Sequence, residues 1–333
     1  MRTAARIIIP TILVATVALT GCSSLTTLAG STSTPVPIID PAAPVTVDNC
    51  GTEVTFDAAP ERVVTIKSST TEMLLALGLG DHIVGTAFQD GPVPDVWEAD
   101  ADGIPSIADA VPSEEVVLEQ EPDLVYAGWE SNFSADGAGE RPELATLGVN
   151  SYVSPSACRS QNQPTKLTFD NIFGDIIEVA SIFRVDATEL IADQRAQLAK
   201  VDMGGDKGQG RTALWFSSGS DTPYVGAGIG APELVLETLG LKNIAGDVDA
   251  TWAPFSWEAI VDADPDFIVL VDATWNSADK KIEILESNPA TAHLTAVKQG
   301  RYLIVPFAAS EAGVRTVETV TNLYDQITQL DGP

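Results

Sequence analysis

Glu72-Met73-Leu74-Leu75-Ala76-Leu77-Gly78-Leu79 has a counterpart in the second half of the chain, Glu233-Leu234-Val235-Leu236-Glu237-Thr238-Leu239-Gly240-Leu241. Each reads as an apolar helix stopped by a glycine. A second pair follows in the same order. Glu115 to Tyr126 and Glu258 to Val269 each read as a short helix, a Pro-Asp step and a buried strand. Pro122 and Pro265 stand 143 residues apart, and so do Glu115 and Glu258. One short match is easily fortuitous; two in one order imply a duplicated unit and a chain of two similar lobes.

Working outward, strands and helices alternate. Val45–Val47 and Glu53–Phe56 flank a polar turn and read as a hairpin. Arg62–Ile66, Ile83–Ala87, Asp123–Tyr126 and Ser151–Val153 read as strands. Ser68–Leu77, Glu114–Glu119 and Glu140–Leu147 read as helices between them. This alternation predicts an α/β fold with mainly parallel sheets covered on both faces. Residues 167–202 carry apolar positions only at helical spacing, including Ile172, Phe173, Ile176 and Ile177, and predict two helices joining the lobes. The polar stretch Gly204–Gly210 and the strand Thr212–Phe216 open the second lobe. The expected division is a first lobe over 45–165, a helical connection over 166–203 and a second lobe over 204–333.

The N-terminus sets the compartment. Arg2 and Arg6 precede an apolar run ending in Leu19-Thr20-Gly21-Cys22. These are the parts of a secretory signal over residues 1–21, too short to span a bilayer comfortably. Leu-Thr-Gly-Cys resembles the bacterial lipobox, which predicts acylation of Cys22 and a membrane anchor on the extracellular or periplasmic face. Residues 22–44, rich in Ser, Thr and Pro, read as a tether. Cys50 and Cys158 remain as a pair in an oxidising compartment, either bridged or buried separately. Without residues 1–21 the chain keeps 16 basic against 47 acidic side chains, a formal charge of −31. Such a surface repels phosphate backbones, so no nucleic-acid partner is expected.

Pro60-Glu61-Arg62-Val63-Val64, Thr71-Glu72, Leu77-Gly78-Leu79-Gly80-Asp81 and Glu121-Pro122-Asp123-Leu124-Val125 resemble the helical-backbone class (class III) of ABC-transporter solute-binding proteins. That class handles ferric siderophores, haem and cobalamin, and the likeness covers roughly residues 45–330. It implies two Rossmann-like lobes, a rigid helical connection, small closure on a ligand, and an ABC permease with its ATPase as partners. It also implies docking through one acidic residue on each lobe, at positions matching Glu115 and Glu258. Thr65–Ser69, Tyr126–Glu130 and Ser217–Gly228 are most similar to an actinobacterial subgroup associated with a phospholactyl deazaflavin coenzyme precursor.

In open α/β sheets a ligand sits beyond the carboxyl ends of the strands. Lys67, Ser68, Ser69 and Thr70 put hydroxyls, backbone N–H groups and one cation at a helix start, which suits an anion. Trp129 and Glu130 follow the next strand, and Trp129 could stack on a planar ring or cover a lobe edge. Ser218, Ser220 and Tyr224 form a polar loop in the second lobe. Trp252 and Trp275 are further stacking candidates. Arg315, opening the last helix, is a second cation for the ligand or a partner of Glu311 or Glu318. The expected solute is medium-sized, anionic and aromatic.

Other functions find less support. His82 and His293 are the only histidines, and no Ser/His/Asp order or nucleophile elbow accompanies them. No enzyme is expected, no cofactor and no metal set. Haem would call on a His, Tyr or Met ligand, for which Tyr126 and Tyr224 are conceivable. A monomer is expected.

Overall fold

The computed structural model describes residues 43–159, 161, 165–203 and 208–332, all within one compact unit. The signal segment, Cys22 and most of the tether lie outside the described residues.

The chain enters as a hairpin of β1 (Val45–Asn49) and β2 (Thr52–Phe56). Its turn, Cys50-Gly51, has φ of 55° and 77°, the pair of left-handed residues that a two-residue hairpin loop demands. Val47, Val54 and Phe56 face inward on alternate positions and share a core with Ile172, Phe173 and Ile176. Five parallel strands follow: β3 (Val63–Ile66), β4 (Ile83–Ala87), β5 (Ser106–Ala108), β6 (Leu124–Ala127) and β7 (Asn150–Val153). Their order is β5-β4-β3-β6-β7. Every residue of β3 and β6 is buried, the mark of a sheet covered on both faces. The order reverses between β3 and β6, so a crevice opens beyond their carboxyl ends.

The second sheet comprises β8 (Thr212–Ser218), β9 (Tyr224–Gly226), β10 (Lys242–Asn243), β11 (Trp252–Pro254), β12 (Phe267–Asp272) and β13 (Tyr302–Pro306). Its order is β11-β9-β8-β12-β13, with β10 also paired to β8. β8, β10, β12 and β13 run parallel, and β9 turns back against β8 and β11. Thus Ser218, expected in a loop, ends a strand opposite Tyr224, and Trp252 pairs with Gly226 inside a strand. Strands β5, β9, β10 and β11 have two or three residues each, too few to show a period.

The connection is two helices, Phe169–Phe183 and Thr188–Met203. Thr168 and Asn171 form a reciprocal capping box at the start of the first. That helix packs on the first lobe. On the second, Gln194 Nε2 donates to Val314 O at 2.8 Å, tying the connection to the far end of the chain. Ala231, Val314 and Val317 share the core that holds Met73 and Leu74, so apolar packing continues from lobe to lobe.

The duplication is visible in detail. Gly78 and Gly240 both take left-handed φ, 72° and 70°, and Leu79 and Leu241 return hydrogen bonds to Leu74 and Leu236 at 2.8 Å each. Asp123 accepts the N–H groups of Glu61 and Arg62 at the foot of β3. Asp266 does the same for Thr212 at the foot of β8. Glu115 and Glu258 are each the second residue of a short helix capped by a serine hydroxyl, Ser113 or Ser256, and both are exposed. Cys50 and Cys158 are bridged, fastening the hairpin turn to the segment after β7.

Candidate interlobe binding site

A cavity of about 430 Å³ lies between the lobes, beyond the carboxyl ends of the central strands. The first lobe supplies Ser69 after β3, Gly128, Trp129 and Ser131 after β6, and Ser154, Ser156 and Arg159 after β7. The second supplies Ser217 and Ser218 from β8, Tyr224 from β9, Trp252 from β11, Trp275 after β12, and Phe307 and Glu311 after β13. Aromatic faces and hydroxyls therefore converge from both sides. Trp275 and Tyr224 keep 49% and 37% of their surface exposed, which places them at the mouth.

Six of the twelve residues expected to meet a ligand line this cavity: Ser69, Trp129, Ser218, Tyr224, Trp252 and Trp275. The other six are engaged elsewhere. Lys67 was expected to face an anion. Instead its side chain is wholly buried, its ammonium pairs with Asp90, and it lies over the rings of Phe88, Trp129 and Phe307. An ammonium taken out of water needs such partners to remain charged. Ser68 Oγ accepts the Asp90 N–H at 2.8 Å, and Thr70 Oγ1 donates to Ile66 O and Lys67 O, so both hydroxyls close the turn. Glu130 Oε2 accepts the backbone N–H of Arg159 at 2.7 Å. The Ser220 carbonyl accepts from Trp257 Nε1. Arg315 is 8% exposed, grips Glu318 with two nitrogens at 3.0 Å each, and reaches Glu72.

Two charged side chains line the described part of the cavity, and sequence reasoning singled out neither for a ligand. Arg159 is exposed and is the cation. Glu311 is the carboxylate; its Oε2 accepts from Trp129 Nε1 at 2.8 Å. Burial pushes the Glu311 carboxyl up, against the opposing pull of Lys67 and the Trp129 hydrogen bond. Burial likewise raises Asp90, partly offset by Lys67. Among the described residues no group of three or more His, Cys, Asp or Glu side chains is placed to hold a metal ion. His82 Nδ1 bonds to Pro60 O, away from the cavity.

Comparison with known proteins agrees with this architecture. The chain is 27% identical over 295 residues to an uncharacterised ABC transporter substrate-binding lipoprotein of Bacillus subtilis, YvrC, covering 85% of each chain. It is 27% identical over 240 residues to a cobalamin-binding protein of Halobacterium salinarum, covering 70% of this chain and 58% of that one. A periplasmic binding protein from Veillonella parvula superposes with a TM-score of 0.73 at 30% identity, over 85% of this chain and 96% of its own. The ABC-type Fe3+-hydroxamate transport system of Saccharomonospora viridis gives 0.71 at 27% identity, over 85% and 98%. Such proteins bind small ligands and work with a permease and an ATPase, and the class is not one of enzymes. The family model described as periplasmic binding protein matches residues 63–309, which takes in both sheets, the helical connection and all of the described cavity lining but Glu311 and Ala312; the chain belongs to that family, in its helical-backbone class.

Proposed function

We propose that the chain is the lipid-anchored, extracytoplasmic capture component of an ABC importer, acting as a monomer and taking a medium-sized, anionic, aromatic solute. The observation that carries this reading is the cavity wall: Trp129, Trp252, Trp275, Phe307 and Tyr224 surround a space whose described lining has one cation, Arg159. Flat rings suit a planar ligand, hydroxyls suit its polar edge, and Arg159 suits a phosphate or carboxylate on it. A space of about 430 Å³ lies toward the small end of ordinary ligand sites, roughly 300–1,000 Å³. A phospholactyl deazaflavin precursor has the required ring and the required anion. Cys22 in its lipobox-like sequence and the likeness to a lipoprotein support the anchor. Exposed Glu115 and Glu258, one on each lobe, are the proposed permease contacts.

A second reading has support in the likeness to a cobalamin-binding protein and to a hydroxamate transport component. A corrinoid, haem or ferric siderophore would need the lobes to part more widely. Tyr224 is the one His, Tyr or Met side chain of the described lining able to reach a haem iron. Titration of intrinsic tryptophan fluorescence with each compound separates the two readings. Saturable quenching by the deazaflavin precursor, and none by cobalamin or a ferric hydroxamate, is expected; the reverse result replaces the first reading with the second.

A further inference from the structure

Lys67 is unusual in three independent ways. Its backbone has φ 85° and ψ 145°, a region that residues bearing a Cβ rarely adopt. Its side chain is completely buried. Its ammonium lies 4.2 Å from the ring centre of Phe88, 4.1 Å from that of Trp129 and 4.5 Å from that of Phe307. The neighbourhood is built around it. A Cβ on Gly128 would come within 2.8 Å of Lys67 Cβ, so only glycine lets β6 end there. Asp90 supplies the countercharge.

An ordinary buried ion pair would find its partners within one lobe. Here three links cross the cleft at one place. The Lys67 ammonium of the first lobe touches Phe307 of the second. Asp90 O accepts the N–H of Thr274 at 3.3 Å, across 184 residues for the pair. Trp129 Nε1 donates to Glu311. Thr274 precedes Trp275, whose ring meets Phe307 edge-on at 5.5 Å. Trp129, Trp275, Phe307 and Glu311 all line the cavity, while Lys67 stands behind them. A cation withdrawn from water attracts ring faces strongly, and it can hold several at once.

We infer that Lys67 is a positioning residue for solute capture: its ammonium, fixed by Asp90, draws Trp129 of one lobe and Phe307 of the other onto a single charge and so sets the closed edge of the cavity. The ligand then meets walls already in place and loses less freedom on binding. The inference rests on the capture reading for its use, but not for its test.

The test is amide hydrogen exchange on the solute-free, disulfide-bonded protein, following the Thr274 N–H with Val125 in the middle of β6 as reference. In Lys67→Met, Thr274 exchange is expected to rise by about tenfold or more, the scale of one lost desolvated cation–ring contact, with Val125 unchanged. In Phe307→Leu, which leaves the buried ion pair intact, Thr274 should also exchange faster. The double variant should add little to either single one, because both remove the same link. Unchanged Thr274 exchange in folded Phe307→Leu, or fully additive effects in the double variant, overturns the inference. If Lys67→Met does not fold, Phe307→Leu decides alone. Failure of the clasp leaves capture standing, and failure of the parent protein to bind any offered solute overturns capture without touching the clasp.

Discussion

The guanidinium of Arg315, at the start of the last helix, reaches Glu72 in the helix Ser68–Ala76, with Nη1 3.3 Å from Oε1 across 243 residues. The carboxylate is 2% exposed, and Arg315 also grips Glu318. This is a lobe-to-lobe contact behind the cavity, matched at its edge by the contacts around Lys67. Lys67 and Arg315 are thus both paired with the protein's own carboxylates, which leaves Arg159 as the cation of the described cavity lining.

Burial raises the Glu72 carboxyl to about 7, against the opposing pull of Arg315. Asp175 is also pushed up by burial to about 7. A carboxyl whose folded value exceeds its unfolded one holds a proton that the unfolded chain has released. Its stabilisation is complete below the unfolded value and is lost as pH rises through the folded one. Thermal stability should therefore fall between about pH 5 and pH 8, with Glu72 accounting for at most roughly 3 kcal/mol. Calorimetry of Glu72→Gln over that range should show a shallower fall than the parent protein. Equal slopes in the two would remove Glu72 as a source.

The Cys50–Cys158 bridge closes a separation of 108 residues. Chain entropy puts its contribution at about 4–5 kcal/mol. It also fastens the segment that carries Ser156 and Arg159 into the cavity. Cys50→Ser/Cys158→Ser should lower the denaturant midpoint strongly and weaken solute binding together. Loss of stability with untouched affinity would show that the segment needs no fastening.

How much of this was legible follows from the type of signal. The parallel first sheet was readable because β3 and β6 are buried on both faces, giving apolar runs interrupted only by Thr65. The duplicated lobes were readable because Gly78 and Gly240 stop equivalent helices for the same backbone reason. The role of Lys67 was not. Its charge is visible in the chain, but Asp90 and Phe307 reach it only through the fold. The cavity positions of Arg159 and Glu311 were illegible for the same reason: their loops meet across a cleft, and no spacing records that; Glu311, a candidate partner for Arg315, instead accepts from Trp129. The place of Trp129 in the cavity wall was legible because an indole beside Gly128 at a strand end has little core to join in its own loop.

Arg159 should govern affinity for the anionic part of the solute. Removing one charge-assisted hydrogen-bonding partner costs roughly 1.5–3 kcal/mol, about ten- to a hundredfold in Kd. Calorimetric titration of Arg159→Gln with the phospholactyl deazaflavin precursor should show that loss. The same variant should bind the ring portion lacking the phosphate as well as the parent does. An equal loss for both compounds would mean that Arg159 shapes the cavity and does not read charge.

Glu115 and Glu258 occupy equivalent places, each second in a serine-capped helix and each exposed. Neither lines the cavity. Replacing one exposed carboxylate changes folding stability little, usually within about 0.5 kcal/mol. Glu115→Ala and Glu258→Ala should therefore leave solute affinity and melting temperature unchanged. Uptake by cells or by a reconstituted transporter should fall in each, and further in the double variant, because a rim charge that meets a basic partner surface acts on association. The measurement is transport rate against concentration of binding protein: a docking role raises the concentration needed for half-maximal uptake. Unaltered transport in the double variant would place the permease contact elsewhere on the two lobes.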